Sequence, residues 1–302
     1  MALSFVDLEI KDEDIEKYKR GELVEPKKPI VYYVDRATPK KWRKYLKQGI
    51  EDWQAAFEAA GFINALEVKV QPDTANWDAG DIRYNVLRWT SSPNPPFGGL
   101  GPRFTNPRTG QILGADIMLE YVYFTNRVKY EKIYDTFNGE NDNYPLTACH
   151  AGHIMQQGNI FGMMTVKETE QYSQLEQHRI IYESLVKLTL HEVGHCLGLS
   201  HNFFSSQLHS LKNIHDRHIT EPIGLVSSVM DYVTANVGIN PQNHGQFYTT
   251  VPGPYDIWAI EFGYTPSFLN QEDEKERVRT LLSKSTQKKY GYGNDSDDKR
   301  ST

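Results

Sequence analysis

Eleven consecutive residues constrain this fold more than any other stretch: His191-Glu192-Val193-Gly194-His195-Cys196-Leu197-Gly198-Leu199-Ser200-His201. Leu185 to Leu197 reads as helix, which sets His191 and His195 one turn apart on one face, the spacing that two ligands of a single metal need. The helix must then end abruptly so that the chain can fold back, and Gly198 supplies the left-handed conformation that does this. His201 thereby joins the first two histidines. Three neutral imidazoles leave the fourth position of a tetrahedral zinc open, the catalytic rather than the structural arrangement. Glu192 lies on the flank of the same face, where its carboxylate reaches a water at that position without being a ligand, so it suits the general-base role. A bare H-E-x-x-H also occurs on ordinary helices. Gly198 and His201 make this one specific.

Composition excludes several alternatives. With 302 residues, 39% hydrophobic and 24% charged, the chain suits one catalytic domain with appendages. No run approaches the eighteen or so apolar residues of a membrane span, and Met1 to Arg20 is too acidic and polar for a signal peptide. A formal net charge of -6 gives no support for nucleic-acid binding. Lys27, Lys28, Lys40, Lys41 and Lys44 are interleaved with apolar residues and read as a solvated face. The two cysteines, Cys149 and Cys196, make no disulfide framework, and whether they pair stays open. Cys149-His150-Ala151-Gly152-His153 reads as a loop with two spare histidines, because it lacks a companion pair at metal-site spacing. Asn138-Gly139-Glu140-Asn141-Asp142-Asn143 lacks calcium-loop spacing, so Ca2+ has no support there.

Periodicity organises the rest. Ile30 to Val34 reads as a strand, followed by a helix from Pro39 with Trp42, Leu46, Ile50, Trp53 and Phe57 on its buried face, ended by Gly61. Leu66, Val68 and Val70 alternate as a strand, and so do Ile82, Tyr84 and Val86. Gly99 to Thr105 and Gln111 to Glu120 read as a hairpin turned by Asn106-Pro107-Arg108-Thr109-Gly110. Residues 121 to 167 show no clear period and read as an inserted loop region. A long helix from Glu168 to Leu197 would deliver the histidines. Tyr255 to Tyr264 and Glu272 to Ser283 read as further helices. Residues 1–27 form a leader or linker, and 284–302 have the composition of a disordered tail.

Farther on stands Ser227-Ser228-Val229-Met230-Asp231-Tyr232. With the histidine motif it resembles the metzincin metallopeptidases, in which a tight turn with a methionine floors the zinc site and several branches place a tyrosine two residues later. Met230 and Tyr232 match those positions. The stretches around Tyr33, Trp53, Trp89, Gly110 and Trp258 resemble more closely the bacterial exported zinc-dependent metalloproteases with a Met-zincin domain, over most of residues 28 to 265. The resemblance implies an α+β fold with a twisted, mostly parallel five-stranded sheet, an antiparallel edge strand, a long zinc-binding helix and a smaller lower subdomain. It places the catalytic domain at 28–283, with an upper part of about 28–201 and a lower part of about 202–283.

The activity implied is zinc-dependent hydrolysis of peptide bonds, with Zn2+ held by His191, His195 and His201, and with Glu192 as general base. Gly99, Leu100, Gly101 and Arg103 would lie on the edge strand that pairs with an extended peptide or protein substrate. Tyr232 would donate a hydrogen bond to the developing oxyanion, a task a neutral phenol suits at pH 7. The resemblance also implies an exported protein, periplasmic, cell-surface or secreted, of which this chain is part. Two rivals keep the same metal: a hydrolase of a non-peptide amide or of a cell-wall or glycoprotein linkage, and a noncatalytic binding module.

Overall fold

The computed structural model describes residues 5–92, 98–120, 151–168, 174–238, 244–267, 270–294 and 297. Helix α1 (Ile15–Lys19) precedes β1 (Ile30–Val34), α2 (Lys40–Glu51), α3 (Gln54–Ala59), β2 (Leu66–Val70), β3 (Asn85–Thr90), β4 (Gly99–Leu100), β5 (Arg103–Thr105) and β6 (Ile112–Glu120). Then come α4 (Ala151–Glu168), α5 (Gln174–Cys196), α6 (Arg217–Ile223), α7 (Pro254–Tyr264) and α8 (Gln271–Ser283). Across the sheet the order is β2-β1-β3-β6-β4, with β5 also paired to β6. The first four strands are parallel, and β4 and β5 run antiparallel to β6. The expected five positions across the sheet are therefore present, the antiparallel edge being split into two short pieces. The architecture is the α+β arrangement expected of a metzincin.

Along β1, Ile30, Tyr32 and Val34 are buried while Val31 and Tyr33 are half-exposed, the alternation a one-sided core imposes. Helices α2 and α5 pack on each other and on the sheet. Gly49 allows their close approach, since a Cβ there would stand 2.7 Å from Cβ of Thr189. Tyr45 and Tyr182 stack nearby at 5.2 Å between ring centroids. Leu46, Ile50, Trp53, Phe57, Leu185, Leu188, Val193 and Met230 belong to one continuous core.

Several elements differ from the sequence reading. The helix expected from Pro39 through Phe57 is two, broken at a tightened turn in which the Trp53 N–H bonds the Ile50 carbonyl at 3.3 Å. Strand β3 begins at Asn85 rather than Ile82, because Asp81 accepts from the backbone and side chain of Arg83 and closes a turn before Tyr84. Ile82 is left exposed.

Residues 151–167, read as loop, are helical and belong to α4. Three glycines hide this helix from a propensity reading, and each serves a close approach. Gly152 packs on the backbone of Gly98, Gly158 on the Tyr248 hydroxyl and Ala235 backbone, and Gly162 on Ala235 and Val237. The described part of the helix carrying the histidines is Gln174–Cys196. Cys149, His150 and the Asn138–Asn143 stretch lie outside the described residues.

The described segments flanking the domain are fastened to it. The Phe5 N–H bonds the Gly110 carbonyl at 3.2 Å and the Phe5 carbonyl accepts from Ile112 N–H at 2.6 Å, while Val24 is buried and pairs with Gly61 and Ile63. Residues 284–294, expected to be disordered, instead form two 3-10 turns and lie against α7. Tyr290 and Tyr292 meet Trp258 and Tyr255 there at 5.6 and 5.9 Å between ring centroids. Composition counted their lysines and glycines and gave no weight to these aromatic anchors.

Candidate active site

The last turns of α5 carry His191, Glu192 and His195, and the helix ends as the glycine predicted. Gly198 has φ of 99°. Its N–H bonds the His195 carbonyl at 3.1 Å, and the Leu199 N–H reaches back to the Gly194 carbonyl at 2.9 Å. Those two bonds are a Schellman closure. Arg103 adds a cation at the same helix end, its Nη1 donating to the His195 carbonyl at 2.9 Å, where the helix dipole favours positive charge. The guanidinium of this edge-strand residue thus serves the helix that carries His191 and His195.

One nitrogen of each of His191, His195 and His201 lies within 4.8 Å of the other two. Nε2 of His195 and Nε2 of His201 are 3.2 Å apart, close to the roughly 3.3 Å that two nitrogens on one tetrahedral zinc adopt at about 2.0–2.1 Å each. Outer contacts orient the rings. His191 Nδ1 faces the Val229 carbonyl at 2.8 Å, and His195 Nδ1 faces the Leu199 carbonyl at 3.1 Å. A carbonyl accepts only from a protonated Nδ1, so these contacts leave the Nε2 lone pairs for a metal. Burial, with the charge of Lys187 next, pushes the His191 imidazole well below its ordinary range and keeps it in the neutral form that ligates. The donor set fits zinc.

The floor of the site is the turn at Val229 and Met230. Gly194, between the two helical histidines, makes room for it, because a Cβ there would collide with the Met230 sulfur and stand 3.1 Å from the Trp53 ring. The Trp53 indole N–H in turn bonds the Leu190 carbonyl at 3.1 Å. Two buried charges hold the turn from opposite sides. Lys187 donates to the carbonyls of Val229 at 2.5 Å and Asp231 at 3.1 Å. Asp256 accepts from the Ser228 hydroxyl at 2.6 Å, Val229 N–H at 2.7 Å and Gly253 N–H at 2.8 Å. Burial pushes the Asp256 carboxyl up to about 6, with these three donors pulling the other way. Local pattern alone assigns neither role, since a lysine and an aspartate look alike whether they are solvated or buried.

Tyr232 follows the turn and brings its hydroxyl 2.8 Å from Nε2 of His201, on the metal-facing side of that ring. Phe203 stands beside both, with ring centroids 5.5 Å from His201 and 5.2 Å from Tyr232. Farther along, Arg179 and Glu183 of α5 fasten the wall after Tyr232. Arg179 donates to Glu183 and to the Gly245 carbonyl, and Glu183 accepts the N–H groups of Phe247 and Tyr248 at 2.7 and 3.2 Å.

Strand β4 crosses directly over Glu192. A Cβ on Gly99 would stand 2.5 Å from its Oε1, and one on Gly101 2.5 Å from its backbone carbonyl. Both glycines are therefore required by proximity to the carboxylate and its helix. Gly99 and Leu100 pair with Leu119 and Met118, and Arg103 and Phe104 with Ala115 and Gly114. Among the described residues β4 and β5 pair with β6 alone, so their outer side is a sheet edge. Cys196 is a free buried thiol 3.6 Å from the Gly101 carbonyl.

Residues 173–302 match the family model described as Met-zincin. No curated protein and no solved structure matches the chain at a significant level. The matched stretch contains all three histidines, Glu192, Met230 and Tyr232. Over these residues the chain is similar to the Met-zincin family, a likeness that supports a metzincin-clan metallopeptidase.

Proposed function

We propose that this chain is a zinc-dependent endopeptidase that cleaves extended peptide or protein substrates. The observation that carries the proposal is the convergence of His191, His195 and His201 beside Glu192, directly below the β4–β5 edge. When bound, zinc supplies Lewis-acid polarisation of the scissile carbonyl and lowers the pKa of a water to about 7.

The remaining chemistry falls to the chain itself. His191, His195 and His201 hold the metal. An extended substrate adds beside β4 and β5 through main-chain hydrogen bonds, which places a peptide carbonyl above Glu192. Gly99, Leu100 and Gly101 supply that edge, while Arg103 keeps it fastened to α5. The Glu192 carboxylate takes the proton of the attacking water and passes it to the leaving amine as the C–N bond breaks. The Tyr232 hydroxyl, beside His201, donates a hydrogen bond to the carbonyl oxygen as negative charge collects on it. Met230 and Gly198 act structurally, as floor and as turn.

The edge favours a peptide over a non-peptide linkage, because an open strand matches a repeating backbone. Glu192 favours an enzyme over a binding module, since holding a metal needs no general base. Export of the protein is the reading that family resemblance supports. Cleavage of a mixed peptide library, with zinc added and removed, tests the activity. Glu192→Ala is expected to keep the metal and lose about 10²- to 10⁴-fold in turnover. Turnover near wild type in that variant, or zinc retained in full by His201→Ala, would refute the assignment.

A further inference from the structure

His191 and His195 are placed by one helix, but His201 is not. It lies beyond the Gly198 turn in a stretch without regular structure, so tertiary contacts alone decide where its ring enters the site. The next residue, Asn202, is fully buried and makes those contacts. Its N–H bonds the Met230 carbonyl at 3.1 Å. Its side-chain Nδ2 donates to the Gly291 carbonyl at 3.0 Å, and its Oδ1 accepts from Gly293 N–H and Phe204 N–H, both at 3.2 Å. Phe203 N–H bonds the Gly293 carbonyl at 2.8 Å. Residues 291–293 thus run alongside 202–204 and grip the chain immediately after the third histidine.

The C-terminal segment is itself anchored. Tyr292 stacks on Tyr255, Tyr290 meets Trp258, and the Trp258 indole N–H bonds the Leu281 carbonyl at 3.0 Å. The aromatic anchors fix the segment to α7, whose Asp256 holds the Met230 turn from below. One rigid connection therefore runs from α7 through residues 290–293 to Asn202, and Asn202 bonds back to Met230. The partner groups of a buried amide are costly to orphan, which makes this geometry stiff.

We propose that residues 284–294 form a strap belonging to the metal site, and that Asn202 is a positioning residue that sets the third metal ligand. The inference rests on the metal-site reading above. Without the strap the first two histidines stay in place, but His201 and its neighbour Phe203 lose the contacts that define their approach. Substitution of outer partners in metal sites commonly weakens metal binding by about 10- to 100-fold.

The test uses cobalt(II) as the probe, because its visible d–d bands report ligand number and geometry independently of turnover. Three variants of the full chain are compared with wild type. Asn202→Asp keeps the shape but turns an oxygen toward the Gly291 carbonyl. Gly293→Pro removes an N–H that Asn202 accepts, from a position distant in sequence. Tyr292→Ala loosens the anchor from an exposed site and keeps the test available should the buried variants not fold. Expected is an increase of about 10-fold or more in the cobalt dissociation constant by chelator competition, with altered d–d bands. Metal-free circular dichroism is expected to remain that of a folded protein. Unchanged affinity and spectrum in the folded variants, with cobalt bound normally by wild type, would reduce the strap to packing. Failure of wild type to bind cobalt would overturn the metal-site reading and the strap with it.

Discussion

Asp256 can be interrogated by replacing it with asparagine and with alanine and following stability against pH in metal-free protein. Its Oδ2 accepts the N–H groups of Val229 and Gly253, and its Oδ1 accepts the Ser228 hydroxyl. Alanine would strand two buried backbone N–H groups at about 1–3 kcal/mol each, so roughly 2–6 kcal/mol of stability is expected to be lost. Asparagine has a better solution. Its oxygen can keep both backbone donors while its amide faces Ser228 Oγ, which has lone pairs to accept, so a loss below about 2 kcal/mol is expected at pH 7.

The pH dependence separates the two charge states. Burial raises the folded-state pKa to about 6 from an ordinary 3.8. Between those values the unfolded chain releases a proton that the folded chain retains. The contribution of Asp256 is therefore fully present below about pH 4 and declines as pH rises to about 6, by roughly 3 kcal/mol for a shift of this size. The amide introduced by Asp256→Asn does not titrate, so the advantage of wild type over that variant should shrink from about pH 4 to about pH 6.5. Urea unfolding of the pair at several pH values measures it. A wild-type advantage that grows with pH would show that the three donors outweigh burial, and would refute the reasoning.

Other substitutions address the site directly. Tyr232→Phe keeps the ring and removes only the hydroxyl beside His201; kcat is expected to fall roughly 10- to 1,000-fold with zinc content and KM little changed, and an unaltered kcat would leave the residue a packing role. Gly99→Ala places a methyl against Glu192 Oε1 and should lower kcat/KM by about 10²-fold without loss of metal, as read by steady-state kinetics beside metal analysis. Gly194→Ala drives a methyl into Met230 and Trp53, for which calorimetry should show a loss of about 1–3 kcal/mol; a neutral result would mean that the Met230 turn yields freely.

The clustering of His191, His195 and His201, the place of Glu192 beside them and the end of their helix were legible in the sequence because they depend on local geometry. A 3.6-residue period puts His191 and His195 on one face, and a glycine at φ of 99° ends the helix whatever surrounds it. Strands β1 and β2 and helices α7 and α8 were legible for the same reason, as alternation or helical period within one segment. What surrounds the three histidines was decided only in three dimensions. Lys187, Asp256 and Asn202 are polar residues whose burial depends on partners 42, 27 and 91 residues away, and no local pattern distinguishes them from solvated ones. Residues 151–167 show no clear period, and the close approaches that the glycines of α4 serve are to distant segments. Residues 284–294 read as tail because their charge and glycine content outweigh the aromatic contacts that Tyr290 and Tyr292 make at a distance. A short-range pattern specifies the direction in which a side chain leaves the backbone, whereas the polar partners that hold it there are chosen by the packing of distant segments.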